Sequence, residues 1–354
     1  MKNQSRIAGV DTFRFCAFMN VFLFHATTQW SAGNFRLFFV LSSFLLTFLA
    51  LNEINNTGRF SRTNFFLRRA VRIYPLYFIV IAVSFYLLPS VAASFGRTVS
   101  LPENKWMYWS FLSNFDSDDH IFALKFLWSI SVEEQFYILF IALSSFFRKN
   151  IYIIAIGLIA LSFWSPYISQ ISGISYYHNP LTYFAHFGIG MGAAKLYFDR
   201  NLFLNNINLL IVSMLSGGVT LMAFWYAAFD PIINTSFAVF AATLLLLTIY
   251  VLQKRRYRRF LPAFTEILGR YTYGLYVYSG FVLTFAGIFL SGANNFLVVL
   301  VEFVILLGIA VLSFHLFEKR FLELRHLEYF KRWNQPKPSV AVPTMELVPA
   351  PISL

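Results

Sequence analysis

The chain contains little cysteine and little charge. It has one cysteine, Cys16, among 354 residues, so no intrachain disulfide can form. Charged residues make up 12% of the chain, whereas soluble domains average about 25%. It also lacks a Gly-rich phosphate loop, a Gly-x-Ser-x-Gly motif, and any cysteine or histidine pair at metal-ligand spacing. These absences exclude a disulfide-stabilised secreted domain and predict no metal cofactor.

Apolar residues dominate what is present. Hydrophobic residues make up 58% of the chain and aromatic residues 20%. Long apolar runs are typical of transmembrane helices, each of which needs about 20 residues. We therefore predict an all-α polytopic membrane protein with about ten transmembrane helices. The predicted spans are 10–28, 34–51, 73–88, 131–147, 151–166, 181–198, 207–228, 232–252, 271–290 and 295–317.

These spans form one predicted transmembrane domain over residues 1–322. The segment 333–354 is rich in proline and valine and has few charges. This composition predicts a disordered tail. We expect no second soluble domain in the sequence.

The distribution of basic residues orients the predicted spans. Lys and Arg concentrate in cytoplasmic connections. With the N-terminus inside, most of the 28 basic residues fall on the inner side. The outer side keeps Arg36, Arg97, Lys105 and Lys125. We therefore expect both termini in the cytoplasm. This rule, together with the anionic inner leaflet, explains the net charge of +12 without a nucleic-acid partner.

The first predicted span carries Arg14 and His25 inside an apolar helix. Ionisable groups are costly in hydrocarbon, so such residues are functional candidates. Because the two lie eleven positions apart, they share one helix face and are separated by about 16 Å along the axis. The alternative is a hydrogen-bonded core histidine with an arginine at the membrane edge.

Two adjacent carboxylates, Glu133 and Glu134, begin the fourth span at its outer end. His25 lies near the outer end of the first span, so we expect it at the same membrane level. A histidine oriented by a carboxylate is a candidate general base for a hydroxyl nucleophile. Because neighbours on a helix point about 100° apart, we expect only one glutamate to face the interior and the other to meet solvent or headgroups. The alternative is a hydrated interfacial pair.

Three arginines precede the third span at the inner face. Arg69 and Arg72 are three positions apart, so in a helix they share a face and could clamp phosphate groups. Arg68 lies directly beside them and is the third residue of the predicted cofactor-binding group. The alternative is an ordinary cluster of inner-side positive charge.

Several motifs, in this order and spacing, resemble the acyltransferase-3 family of integral-membrane acyltransferases, which act on O-antigens and exopolysaccharides. Four segments carry most of the resemblance, with a short Phe-His-Ala match at 24–26 and weaker echoes at 273–276 and 317–319. The main segments are 6–14 (RIAGVDTFR), 37–45 (LFFVLSSFL), 69–77 (RAVRIYPLY) and 127–137 (LWSISVEEQFY).

The resemblance implies an enzyme of the bacterial inner membrane that moves an acyl group, typically acetyl, from cytoplasmic acyl-CoA to a sugar hydroxyl. The acceptor would be an envelope or exported glycan, such as lipopolysaccharide, or a lipid-linked sugar. His25 would match the essential histidine, Arg14 its partner, and Glu133 the acidic residue of the Trp-Ser motif. Arg69 and Arg72 would match the inner arginine pair that binds the donor. His25 would act as a general base or as a covalent nucleophile.

Two positions depart from the family pattern: Ser43 replaces a usual glycine and Ser279 a common histidine. Some family members carry an extra extracytoplasmic domain, so a separate extracytoplasmic partner is an expectation here.

The outer loop 89–130 offers tryptophans that could stack on sugars, although interfacial tryptophans are common. They are Trp106, Trp109 and Trp128. The alternatives are a transporter of a sugar or anionic solute, or a non-catalytic accessory protein.

Overall fold

A computed structural model describes residues 7–27, 35–116, 124–199, 206–226, 229–253, 262–289 and 295–324. Within these ranges the chain forms α-helices and short helical turns, with no β-strand. The helices are α1 Val10–Thr27, α2 Arg36–Thr57, α3 Arg62–Ala82, α4 Leu88–Ser94, α5 Lys105–Trp109, α6 Leu127–Leu143, α7 Phe147–Ser162, α8 Ser165–Ser172, α9 Phe184–Phe198, α10 Asn206–Trp225, α11 Asp230–Gln253, α12 Pro262–Arg270, α13 Thr272–Phe289, α14 Asn295–Ser313 and α15 Lys319–Leu324.

Five helical stretches in the described residues are long and apolar enough to cross a membrane. A bent pair, α7 with α8, makes a sixth if its two halves form one span; they meet at 48°. The five stretches are Arg36–Thr57, Arg62–Ser94, Asn206–Trp225, Asp230–Gln253 and Phe296–Leu324. The protein is therefore an all-α membrane protein. The ten spans and the cytoplasmic termini stay predictions, and the predicted tail 333–354 lies outside the described residues.

Within the described residues each predicted span overlaps a helix, but the helix of the third span begins earlier than predicted. Helix α3 starts at Arg62, where the side chain of Ser61 accepts a hydrogen bond from the Asn64 backbone N–H at 3.4 Å. A serine cap of this kind satisfies an amide that the first helical turn leaves free. The helix continues through a π-helical turn, Val83–Leu87, into α4. The arginines at 68, 69 and 72 therefore lie inside the helix and do not precede it.

Helix α1 begins between α11 and α12, in close contact with both. Gly9 has a φ of +89°, and a Cβ there would lie 3.0 Å from the Thr248 carbonyl oxygen. On the other side, a Cβ on Gly269 of α12 would lie 2.2 Å from the Asp11 carbonyl oxygen. Glycine at both positions lets the backbones approach. The start of α1, which carries Asp11 and Arg14, is therefore held in place.

The described part of the predicted outer loop, up to residue 116, folds back onto the bundle. Tyr77 of α3 donates a hydrogen bond to the Tyr108 carbonyl oxygen at 2.9 Å. The hydroxyls of Ser113 and Ser131 lie 2.8 Å apart, which joins the loop to α6. Phe111, with a φ of 57°, stacks on Tyr77 with ring centroids 4.3 Å apart. This segment therefore packs on the C-terminal half of α3 and the N-terminal half of α6.

Candidate functional site

A cavity of about 110 Å³ lies where α1, α2, α3, α6 and α13 meet. Its lining combines three arginines and one carboxylate with hydroxyl groups and aromatic rings. The polar lining residues are Arg14, Arg69, Arg72, Glu133, Ser42, Ser129, Tyr137, Thr272, Tyr273 and Tyr276. Four of the six predicted site residues therefore meet at one place.

Arg14 reaches the cavity from the N-terminal half of α1. It forms an ion pair with Asp11, one helical turn earlier, at 2.5 Å. A hydrogen bond at 3.0 Å between the Thr12 and Thr265 hydroxyls ties this turn to α12. The charge of Arg14 thus has a carboxylate partner inside its own helix.

Arg69 and Arg72 line the cavity from α3, as their spacing predicted. The Arg69 guanidinium lies 5.7 Å from the ring centroid of Tyr137 and 5.8 Å from that of Phe65. Such stacking orients a planar guanidinium. Among the described residues, no carboxylate lies within ion-pair distance of Arg69 or Arg72. The two cations therefore give the cavity an excess of positive charge, which suits an anionic ligand.

Glu133 is the carboxylate of the cavity. Its Oε2 accepts a hydrogen bond from the Tyr137 hydroxyl at 3.2 Å, and that hydroxyl lies 3.1 Å from Ser42 Oγ. This chain joins α6 to α2 across the cavity. Arg69 and Arg72 are near enough to interact electrostatically with Glu133.

The expectation that one glutamate of the pair meets solvent or headgroups is wrong. Glu134 is 5% exposed, and the Tyr74 hydroxyl donates to its Oε2 at 3.2 Å. Helix α6 is packed against α3 on one side and α2 on the other, so both directions from positions 133 and 134 lead into protein. Glu134 Oε1 has no hydrogen-bond partner.

His25 lies apart from the cavity, near the opposite end of α1. Its ring packs edge-on against Phe126, with centroids 4.7 Å apart, and Phe126 packs against the cavity residue Tyr276 at 5.7 Å. His25 is therefore level with the start of α6, whereas Glu133 lies seven residues beyond Phe126, about 10 Å deeper. The sequence placed His25 and Glu133 at one level; the structure places Glu133 with the arginines, because the helix of the Trp-Ser motif begins at Leu127.

Other predicted positions lie elsewhere. Arg68 does not line the cavity, since it points about 100° away from Arg69 on the helix. Trp128 is 8% exposed and is covered by aromatic rings, whereas Trp106 and Trp109 are 58% and 37% exposed. Ser279 is buried and donates to the Tyr276 carbonyl oxygen at 2.6 Å.

Sequence reasoning missed the hydroxyl groups that surround Glu133. Ser42 and Tyr137 both lie inside segments that carry the family resemblance, so their position was a signal that charge-based reasoning did not use. Tyr273 donates to the Ile73 carbonyl oxygen at 2.7 Å and so joins α13 to α3 beside the cavity. Within the described ranges, no cluster of three or more His, Cys, Asp or Glu is arranged to hold a metal ion.

Comparisons with known proteins point to one activity. A family model of the acyltransferase-3 type, described as an acyltransferase domain, matches residues 7–315. A putative O-acetyltransferase of Staphylococcus aureus strain COL is 32% identical over 150 residues, which cover 39% of this chain and 25% of that protein. O-acetyltransferase OatA of Staphylococcus aureus strain MW2 is 31% identical over 150 residues, covering 40% of this chain and 25% of OatA. The match thus spans a quarter of these relatives' length. No solved structure matches the chain.

Proposed function

We propose that this chain, which belongs to the acyltransferase-3 family and is an acyltransferase, moves an acyl group from cytoplasmic acyl-CoA to a sugar hydroxyl on the outer side of a bacterial inner membrane. The acyl group is acetyl, as the names of the O-acetyltransferase relatives suggest. The acceptor is an envelope or exported glycan, or a lipid-linked sugar. The enzyme is a multi-pass protein with both termini in the cytoplasm.

One observation carries this proposal. Arg14, Arg69 and Arg72 surround one cavity with Glu133, and His25 stands beyond an aromatic layer at the other end of α1. An anionic donor needs cations, and a hydroxyl acceptor needs a base. The site has both, separated along the same helix by about 16 Å.

The arginines hold the donor and the histidine activates the acceptor. Arg69 and Arg72 bind the CoA phosphates, and Arg14 guides the donor so that its long pantetheine arm carries the thioester along α1 towards His25. His25 removes the proton from the sugar hydroxyl. The hydroxyl oxygen then forms a C–O bond to the acyl carbon, the thioester C–S bond breaks, and CoA leaves as the thiol after taking up a proton.

Glu133 acts on the donor side of the site. It accepts a hydrogen bond from the Tyr137 hydroxyl and lies near Arg69 and Arg72 without an ion pair to either, so it offsets part of their positive charge. This differs from the role expected from the sequence, in which Glu133 oriented His25.

The transporter alternative is not favoured, because the family match is to an acyltransferase domain over residues 7–315. The relatives extend well beyond the matched segment. An extracytoplasmic partner that delivers or receives the acylated glycan remains part of the proposal.

The decisive experiment is mass spectrometry of envelope and secreted glycans from four strains. One strain lacks the gene, and the other three are the same cells complemented with wild type, His25→Ala or His315→Ala. His315 lies beyond α14 and contacts Tyr271 at 3.2 Å, outside the cavity lining. We expect a mass increment of one acyl group with wild type and His315→Ala, and its loss with His25→Ala. General-base catalysis contributes about 10²–10⁴-fold, so residual product should be near the detection limit.

Unchanged glycans in all four strains would overturn glycan acylation. Undiminished product with His25→Ala would overturn the role of His25. An acyl group recovered on His25 itself after quenching would replace the general-base step with a covalent one.

A further inference from the structure

A second polar cluster lies at the His25 end of the bundle, outside the cavity. Arg36 begins α2, is half-buried, and its Nε is buried without a hydrogen-bond partner. Among the described residues, no carboxylate forms an ion pair with Arg36. A partly desolvated charge is normally compensated, so its environment favours an anion.

Two neighbouring helices contribute further unpartnered groups. His186 of α9 is fully buried, and neither of its ring nitrogens has a hydrogen-bond partner. Asn234 of α11 is 2% exposed; its Nδ2 donates to the Tyr176 hydroxyl at 2.7 Å, but its Oδ1 has no partner. Arg36 interacts electrostatically with both His186 and Tyr176. Buried polar atoms in native proteins are nearly always paired, so this group has the features of a ligand site.

Aromatic rings connect this cluster with the cavity. Phe35, next to Arg36, lines the cavity and packs against Trp128 and Tyr177 with centroids 4.8 and 5.2 Å apart. Tyr177 is 42% exposed, so part of it is accessible to a ligand. Burial raises the pKa of Tyr177, and the nearby Arg36 cation acts in the opposite direction. A ligand on Arg36 therefore lies next to Phe35, a residue of the cavity lining.

We propose that Arg36, His186 and Asn234 form a subsite for a sugar acceptor that bears a negative charge, either a carboxylate or a phosphate. Arg36 binds the anionic oxygens. A ring N–H of His186 donates a hydrogen bond to the ligand, and Asn234 Oδ1 accepts a hydrogen bond from a sugar hydroxyl. The subsite selects anionic glycans and holds them at the His25 end of the bundle. The assignment of its ligand as the acceptor rests on the proposed function; binding itself does not.

The test measures binding without requiring catalysis. The purified full chain is heated with glucuronate, glucose 1-phosphate or glucose, and the unfolding midpoint is recorded as a function of ligand concentration. The variants are Arg36→Gln, Arg36→Lys and the control Arg97→Gln, which removes another predicted outer-side arginine, exposed in the loop.

We expect at least one anionic sugar to raise the midpoint of wild type and of Arg97→Gln, with no shift from glucose. Arg36→Gln should weaken that binding by about tenfold or more, and Arg36→Lys by less, because the ammonium keeps the charge but loses the planar fork. A shift confined to glucuronate identifies a carboxylate ligand, and one confined to glucose 1-phosphate a phosphate.

Absence of a shift with both anionic sugars in wild type would overturn the subsite. So would an equal shift with glucose, or full binding by both Arg36 variants. If Arg36→Gln fails to fold, Arg36→Lys alone tests the subsite. Undiminished binding of the anionic sugar by Arg36→Lys would then contradict recognition by the planar guanidinium. If wild type binds an anionic sugar in this assay but adds no acyl group to glycans in cells, the subsite stands and the proposed function is wrong.

Discussion

The donor side of the site depends on individual charges. Asp11 neutralises Arg14 within α1, whereas Arg69 and Arg72 have no carboxylate at ion-pair distance among the described residues. Glu133 is held by Tyr137 and lies within electrostatic range of both. The cations of α3 are therefore the ones left to bind an anion.

This arrangement predicts the effect of neutralising either cation. Arg69→Gln or Arg72→Gln should lower kcat/KM for acyl-CoA by about 10- to 100-fold, chiefly through KM, because each removes charge-assisted hydrogen bonds to phosphate. Lysine at either position should cost less than glutamine. Initial rates of acyl transfer in membrane vesicles at varied acyl-CoA measure this.

The matched control is Arg62→Gln, on the same helix. Arg62 is exposed and donates to the hydroxyls of Ser144 and Ser145, away from the cavity. Its KM should stay near that of wild type. Equal changes in KM for Arg62→Gln and Arg69→Gln would contradict a specific donor role for the cavity arginines.

At the scale of elements, small residues set how closely α2 and α9 approach. A Cβ on Gly190 would lie 1.9 Å from Ser43 Oγ and 2.5 Å from the Val40 carbonyl oxygen. The Ser43 hydroxyl itself donates a hydrogen bond to the Val40 carbonyl oxygen at 3.1 Å. The serine that replaces a usual family glycine therefore fits here because its neighbour on α9 is a glycine.

This close contact predicts how far a single methyl group, added at Gly190, destabilises the fold. Gly190→Ala should destabilise the fold by about 1–3 kcal/mol, since the packed helices must separate. Adding Ser43→Gly should restore part of the loss, because it removes the hydroxyl but leaves the Val40 carbonyl in the way. The unfolding midpoint of the purified protein reports the change.

Gly192→Ala is the internal control, two residues further along α9. A Cβ at Gly192 has no neighbouring atom within 4 Å, so we expect no destabilisation and a small gain from the higher helix propensity of alanine. A Gly190→Ala midpoint equal to that of Gly192→Ala would show that the helices are not in close contact at Ser43.

At the scale of the whole molecule, the orientation of the bundle decides which face meets acyl-CoA. The charge distribution predicts that residue 97 is outside and residue 56 is inside. In a Cys16→Ala background, Arg97→Cys should react with a membrane-impermeant maleimide in intact cells, whereas Asn56→Cys should react only after lysis. Both positions are exposed. The reverse pattern would invert the topology and contradict acyl-CoA binding from the cytoplasm.

Composition, charge and motif order were enough to predict an all-α membrane protein and its acyltransferase family. Apolar helix length and the spacing of Arg69 and Arg72 are local properties, so the sequence alone determined that the two arginines share a face. The match of each predicted span to a helix has the same origin. Helix ends were less exact, because a cap such as Ser61 outweighs hydropathy in starting α3.

Only the tertiary structure decided which groups meet. Glu133 was expected beside His25, yet it lies with the arginines and Tyr137, because the depth of a residue depends on where its helix starts relative to its neighbours. Likewise the unpartnered atoms of Arg36, His186 and Asn234 belong to three helices far apart in the chain. Contacts between distant segments follow from packing, and no local pattern in the sequence encodes them.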